Sequence, residues 1–275
     1  MQSKAQDRPR EEQGARGRWR RAAYGREELA EALVAARIAG PITSHDRKNV
    51  GWKIQSLVTG DPDSQFGLTG LAGVSAAEVL GLVAAETGFD PDPTIEEGPS
   101  SIDSARVLDS LEAAGRRLAA ACDRGERVVL ATGHPAGLPL LYLAVADLLE
   151  GGGAKILRPA QGFEWKESAK ARQIRYLHGV AVLTDRGSTI HTHSSGPMGL
   201  MLEEGSPDLV FADHGFAGAA IEAGIDTITI ADVNDPAPIV AKWQGRTEIV
   251  IVMDDNVLPE DYWPCFQAIA SQFPP

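Results

Sequence analysis

Two histidines separated by one residue are the most chemically suggestive feature of the chain. His191 and His193 lie in the stretch STIHTH, which predicts a short strand. Side chains alternate along a strand with a period of two, so both imidazoles should face the same side. Imidazoles placed together can ligate one divalent metal ion or transfer protons. The residue pattern leaves both uses open.

The residues after these histidines predict an anion-binding helix start. Ser194, Ser195 and Gly196 lead into an apolar helical run with a proline in its first turn, where the missing N–H costs nothing. The first N–H groups of a helix are unpaired and bind phosphate or carboxylate. A second such start follows Gly133 and His134 in ATGHPAGLPL, which matches no dinucleotide or ATP-binding motif. Both segments therefore favour an anionic ligand.

Polar side chains of the same kinds follow other short β-branched runs. They are His134 after RVVLAT, Asp213 and His214 after DLVFA, Asp232, Asn234 and Asp235 after TITIA, and Asp254, Asp255 and Asn256 after IVIVM. Parallel α/β sheets bind ligands at the carboxyl ends of their strands, so we expect these loops to form one crevice. A single aspartate in such a loop is more often a turn or helix cap, and Asp235 before a proline fits that interpretation too.

These positions supply the candidate site. The candidates for proton transfer and nucleophile activation are His134, His191, His193, Asp213 and His214. The candidate ligands of one divalent metal ion, Mg²⁺, Mn²⁺ or Zn²⁺, are His191, His193, Asp213, His214 and Asp232. The candidate substrate-binding residues are Gly133, Ser194, Ser195, Gly196, Asp232, Asn234 and Asp235. No other cofactor is expected.

The order of the elements that carry these residues predicts a doubly wound α/β fold. From about residue 123, short apolar strands alternate with helical stretches, which is typical of a mainly parallel sheet covered on both faces. Residues 123–275 are therefore expected to form an α/β body. Residues 23–122 are expected to form an N-terminal helical layer or cap, which includes a helix beginning at the capping box of Ser75 and Glu78. Whether the two parts fold separately is left open.

Three segments outside this pattern have less specific interpretations. Residues 1–22 contain seven Lys or Arg against three Asp or Glu, and we interpret them as a disordered tail rather than a docking patch. The segment FEWKESAKARQIRY is expected to be an exposed charged helix or loop, with a lid over the crevice as the alternative. His45, Arg47, Lys48 and Asn49 either close over the crevice or face solvent.

Composition disfavours several classes of function. The chain has 275 residues, 43% of them apolar, and a net charge of −12, so it can bury a core and is ill suited to nucleic acid or an anionic membrane. No apolar run is long enough for a membrane span, and the N-terminus lacks the apolar centre of a signal peptide, so cytoplasm is the expected location. Cys122 and Cys265 are expected to be reduced packing residues. A homo-oligomer is left open.

Taken together, the motifs resemble a family of actinobacterial proteins that carry the general label phosphatase. The resemblance lies in LATGHPAGLP, HTHSSGPM, DLVFADHGFAGAAIEAGIDTITIADVNDPA and MDDNVLPEDYWP, across residues 127–264. The N-terminal part is less similar, since DRKNVGWKIQSL stands where the family has an Asn-rich stretch. Phe216 and Val233 stand where the family pattern has tryptophan and cysteine, which bears on the substrate more than on the fold.

The resemblance implies phosphate-ester chemistry at His134, His191, His193, Asp213, His214, Asp232, Asn234 and Asp235. The leading hypothesis is hydrolysis of a phosphomonoester of a small metabolite, in which the helix starts hold the phosphoryl group and His134 protonates the leaving oxygen. One alternative is a lyase, isomerase or transferase that acts on a sugar phosphate or nucleotide. The other is a protein that binds a phosphorylated metabolite without turnover.

Overall fold

A computed structural model describes residues 18–41, 44–71, 73–167 and 169–274. The helices in these ranges are α1 (Arg26–Ala35), α2 (Arg47–Val58), α3 (Pro62–Gln65), α4 (Ala76–Thr87), α5 (Ser104–Arg124), α6 (Pro139–Gly152), α7 (Gly196–Glu204), α8 (His214–Glu222), α9 (Pro236–Trp243) and α10 (Trp263–Ala270). The strands are β1 (Arg127–Thr132), β2 (Lys155–Ile156), β3 (Glu164–Glu167), β4 (Lys170–Leu177), β5 (Val180–Thr184), β6 (Leu209–Asp213), β7 (Thr227–Ala231) and β8 (Ile249–Val252).

The strands form a single sheet in the order β3-β4-β5-β1-β6-β7-β8, with the short β2 beside the first residues of β1. The pairs of β1 with β2, β5 and β6 are parallel, as are the pairs β6–β7 and β7–β8. Among the strands that the structure describes, only those of the β3–β4 hairpin, at one edge, pair antiparallel with their neighbours. The prediction of a doubly wound, mainly parallel α/β fold is confirmed.

Apolar side chains on the two faces of the sheet pack into two hydrophobic cores. On one face Val128 and Leu130 of β1 lie in a core with residues of α5, α6 and α10. On the other face Val129 and Ala131 of the same strand lie in a core with residues of α7 and α8. Because successive side chains of a strand point to opposite faces, a strand covered on both sides must be apolar throughout. This explains the sequence RVVLAT.

The N-terminal helices contribute to the first of these cores. Leu33 of α1, Val83 of α4 and Leu111 of α5 are buried in the same cluster as the sheet residues. Helix α4 begins at the predicted capping box, in which Ser75 and Glu78 bond reciprocally. The division of the chain at residue 122 stays a prediction.

The start of the chain is described from residue 18 onward, so most of the predicted tail lies outside the described residues. Residues 18–22 contact α10, where the side-chain amide of Gln267 donates to the carbonyls of Arg18 and Arg20 and accepts from the N–H of Ala22. Cys122 and Cys265 are buried and free, as predicted. None of the helices within the described ranges combines the length and the apolar character needed to cross a membrane.

Two local predictions are wrong. The segment FEWKESAKARQIRY forms the β3–β4 hairpin rather than a helix or loop, and its charges pair across strands, as when Arg172 donates to Glu167 at 2.9 Å. The predicted strand STIHTH is not a strand. Its first part folds back on β5 through a bridge between Thr189 and Thr184, and Ile190 donates to the carbonyl of Leu183 at 2.8 Å.

The close packing of α5 against α10 gives a stability prediction. In Gly115→Ala the new Cβ would lie 2.5 Å from the carbonyl oxygen of Ile269, so the two helices must separate. We expect a loss of about 1–3 kcal/mol in the free energy of unfolding, measured by urea denaturation. Gly81→Ala on α4 is the control, because a Cβ there meets no atom within 4 Å. This variant should gain about 0.5–1 kcal/mol, and equal losses in both variants would contradict the packing argument.

Candidate functional site

Four imidazoles meet at the carboxyl edge of the sheet. His134 follows β1, His214 follows β6, and His191 and His193 lie in the extended segment before α7. Contacting rings have their centroids 4.4–5.3 Å apart, and the rings of His193 and His214 are stacked. The structure therefore brings together the four histidines that the sequence analysis assigned to one crevice.

His214 lies at the centre of this group and is only 3% exposed. Its Nδ1 lies 3.0 Å from Oδ1 of Asp213 and 3.2 Å from Nδ1 of His134. Its Nε2 lies 3.3 Å from Oδ2 of Asp235 and 3.7 Å from Oδ2 of Asp255. One imidazole thus contacts side chains that follow or end β1, β6, β7 and β8.

The backbone around His214 is tightly constrained. His214 has a φ of 45°, a left-handed conformation that costs a residue with a side chain about 1–3 kcal/mol and tends to occur at functional sites. A Cβ on the next residue, Gly215, would lie 2.2 Å from the carbonyl oxygen of His193, and one on Gly133 would lie 2.4 Å from that of Thr192. Only glycine at these two positions lets the histidine segment lie so close to the ends of β1 and β6.

Helix α3 and the residue after it hold His193. The Nδ1 of His193 lies 3.2 Å from both the carbonyl oxygen and Oδ2 of Asp63. Phe66 meets the rings of His193 and His214 edge-on, with centroids 5.0 and 5.2 Å away. His191 is exposed, so the cluster opens to solvent on its side.

Five carboxyl groups are buried around these imidazoles. We call them the aspartate cluster, which consists of Asp213, Asp232, Asp235, Asp254 and Asp255. The N-terminal end of α2 covers part of it, because Nε2 of His45 lies 3.1 Å from Oδ2 of Asp232 and Asn234 donates to Oδ1 of Asn49 at 2.8 Å. Just before α2, the hydroxyl of Ser44 donates to Asp254 at 2.9 Å.

Charge interactions push the pKa values within the site apart. Burial opposes a charge on His214, but hydrogen bonds to two aspartates raise its pKa well above the ordinary value. Burial and the charge of His214 lower the pKa of His134 to about 3. Burial and the charge of Asp232 raise the pKa of Asp255 well above its usual range. At neutral pH, His214 is therefore the charged imidazole and His134 a neutral one.

The carboxyl group of Asp255 is incompletely satisfied. Its Oδ2 is buried and accepts no hydrogen bond from the described residues. The imidazole nitrogens around it are Nδ1 of His134 at 3.4 Å and Nε2 of His214 at 3.7 Å. Burying a carboxylate oxygen without a donor is costly, so an oxygen left in this state within a polar cluster is suited to a cation.

Two groups of side chains within the described ranges bring possible ligand atoms to within 4.8 Å of one another. His134, His191 and His214 form the first group, and His214, Asp235 and Asp255 form the second. The second group is fully buried and contains the unsatisfied oxygen of Asp255. These residue types are ligands of divalent metal ions in proteins.

Comparison with known proteins identifies the family. A family model described as Phosphatase matches residues 24–272. The chain belongs to this family. Phosphatase SCO2771 of Streptomyces coelicolor is 36% identical over 245 residues, which cover 86% of this chain and 92% of that protein. The resemblance to an actinobacterial phosphatase family is confirmed.

The anion sites predicted for this member of the Phosphatase family are only partly formed. The N–H of Gly133 donates to Oδ1 of Asp213 at 2.7 Å, so it does not offer the phosphate contact that was predicted. Helix α7 does begin beside His193, at Gly196, whose N–H donates to the hydroxyl of Ser194 at 3.3 Å. Ser195 packs instead against the loop at Gly67.

Three of the predicted metal ligands belong to neither group of ligand atoms: His193, Asp213 and Asp232. His193 contacts Asp63, and Oδ1 of Asp213 contacts both Gly133 and His214. Asp232 pairs with His45. The two other predicted ligands, His191 and His214, do belong to these groups.

The structure adds residues that the sequence analysis did not assign to the site. Asp255 follows β8 among the noted strand-end residues, so its position was visible although its contact with His214 was not. Asp63 and Phe66 lie far from the strands in sequence, and no sequence pattern indicated that they belong to the site. Of the α2 residues, Asn49 joins the site, whereas Arg47 donates to the carbonyls of three residues in the segment after α4: Asp90, Asp92 and Ile95.

The crowding of carboxyl groups predicts that Asp255→Asn stabilises the metal-free protein. A pKa raised on folding means that Asp255 costs stability at neutral pH, and that this cost fades as the pH falls toward about 4. We expect the variant to gain about 0.5–2 kcal/mol at pH 7, measured by urea denaturation in a chelator. Asp123→Asn, at an exposed position of α5, is the control, and its free energy of unfolding should equal that of the wild type. A loss of stability in Asp255→Asn would contradict this view of the cluster.

Proposed function

We propose that the chain hydrolyses a phosphomonoester of a small metabolite at the cluster around His214. The observation that carries the proposal is the contact of four imidazoles and the aspartate cluster at one sheet edge, in a member of the Phosphatase family. Proton-transfer groups and charge-stabilising groups held together in this way are what phosphoryl transfer requires.

The charge of the site supports the participation of one divalent cation, Mg²⁺, Mn²⁺ or Zn²⁺. A phosphomonoester dianion would be repelled by the aspartate cluster, and His214 alone does not balance that charge. His214, Asp235 and Asp255 would hold the ion, whose binding would displace the proton of His214, because they form the buried ligand group with the unsatisfied oxygen. When bound, the ion would act as a Lewis acid toward the phosphoryl oxygens.

The remaining roles in the reaction fall to histidine side chains of the protein. His134 is neutral at physiological pH because its pKa is lowered to about 3 by burial and by His214, so it is poorly suited to the predicted role of proton donor. We assign it instead the role of a neutral ligand, because a pKa this low also makes it a weak proton acceptor. His193 is oriented by the contact of Nδ1 with Asp63, which leaves Nε2 as the nitrogen available to substrate.

Release of inorganic phosphate from a panel of phosphomonoesters tests the activity. His193→Ala and Asp235→Asn should each lower kcat/KM by about 10²–10⁴, the usual size of such contributions. His178→Ala is the matched control, because this histidine is 61% exposed and pairs with Asp147 outside the cluster. Turnover of a phosphorylated compound without phosphate release would favour a lyase, isomerase or transferase instead. Tight binding without turnover would favour a binding protein.

Metal analysis tests the cation independently of activity. Protein made without a histidine tag and stripped by chelator should regain about one equivalent of Mn²⁺ or Zn²⁺ on dialysis, measured by elemental analysis. Asp255→Asn and Asp235→Asn should weaken binding at least about tenfold. Asp147→Asn, at a position 69% exposed, should bind like the wild type. Failure of the wild-type protein to bind any divalent ion would exclude this part of the proposal.

A further inference from the structure

Helix α2 forms a wall of the site through residues on one side of the helix. Asn49 accepts from Asn234 at 2.8 Å, and His45, just before the helix, contacts Asp232 at 3.1 Å. Residues four apart lie on the same face of a helix, one turn from each other. Lys53 therefore follows Asn49 along the side of α2 that faces the aspartate cluster.

Lys53 is half-buried and forms no ion pair or hydrogen bond with the other described residues. Its Nζ lies 5.5 Å from the centroid of the Trp52 ring. Lys53 therefore lies one turn beyond Asn49 on the side of α2 that contacts the site, and its charge is not neutralised by a salt bridge with the other described residues.

The neighbouring basic residues of α2 are not placed in this way. The guanidinium of Arg47 is buried and donates to the carbonyls of Asp90 and Asp92. Lys48 is exposed and lines a groove with Trp52 and Ile95, away from the polar contacts of Asn49. Of these three residues, Lys53 alone combines a charge without a salt bridge and a position on the side of α2 that contacts the site.

An unpaired cation at this position meets a requirement of the substrate. A phosphomonoester carries up to two negative charges, and the carboxyl group of Asp63 beside His193 adds to the negative charge of the aspartate cluster. A lysine ammonium is a compact point charge that binds phosphate oxygens without a fixed geometry. At this position on α2 it would offset the repulsion and hold the phosphoryl group beside His193.

We propose that Lys53 is a phosphate-binding residue of the site. The assignment rests on the proposed function, since it names the group that receives the phosphoryl oxygens of that substrate. It adds a contact from the N-terminal part of the chain to a site whose imidazoles and aspartates come mainly from the ends of the strands.

The test uses inorganic phosphate as the probe and full-length protein, by isothermal titration calorimetry at low ionic strength. Lys53→Met keeps the length of the side chain and removes the charge, and it should weaken phosphate binding about tenfold, which corresponds to about 1.4 kcal/mol. Lys53→Arg should retain most of the affinity. Lys48→Met is the matched control, because it removes the same charge from the exposed side of the same helix. Melting temperatures of all variants should stay close to that of the wild type.

In steady-state kinetics with a phosphomonoester, Lys53→Met should raise KM by a similar factor of about ten, while kcat should change by less than about threefold. Unchanged phosphate affinity in Lys53→Met overturns the assignment, as does wild-type protein that binds no phosphate. Equal weakening in Lys48→Met also overturns it, since the effect would then be one of net charge. If no protein releases phosphate from any ester but Lys53→Met still loses phosphate binding, the proposed function fails and the assignment of Lys53 is supported.

Discussion

The burial of five carboxyl groups around the imidazole of His214 is the interaction on which the rest of the site depends. A carboxylate removed from water is stable only with hydrogen bonds or a nearby positive charge. His214 supplies part of that charge through contacts on both of its ring nitrogens, and its left-handed backbone fixes the ring between the strand ends. The negative charge that remains is the physical reason for assigning further positive charge to the site, from a divalent ion and from Lys53.

The apolar strands hold these charged groups in fixed positions. β6 and β7 are buried on both faces and end at the same edge as β1 and β8, so the residues that follow them are positioned by a packed core rather than by a flexible loop. The aspartates are fixed at short range before any ligand binds. Such preorganisation is what electrostatic stabilisation of a transition state requires, and a reduced intrinsic stability is its usual consequence.

The sequence predicted most of this arrangement because strand ends and helix starts are local signals. The apolar runs RVVLAT, DLVFAD and TITIA became β1, β6 and β7, and the polar residues after them met as expected. The β3–β4 hairpin was missed because its charged residues, exposed on an edge strand, resemble a solvated helix in sequence. The hydrogen bond of Gly133 to Asp213 and the contacts of Asp63 and Phe66 depend on how distant segments pack, and no local pattern records that.

Both the sequence and the structure point to the N-terminal helices as a determinant of substrate specificity. The stretch that is less similar to the family pattern, DRKNVGWKIQSL, supplies the N-cap and all but the last residue of α2, with Asn49 in contact with the site and Lys53 one turn further along the same side. The imidazoles and aspartates at the strand ends are held by the buried sheet, so they cannot shift without disturbing a close-packed core. Val50, Ile54 and Leu57 anchor α2 in the core, but the polar side chains on its site-facing side make only a few contacts and can change at far lower cost. Differences in substrate between members of the family are therefore expected to arise in α2 and α3, while the chemistry stays with the strand ends.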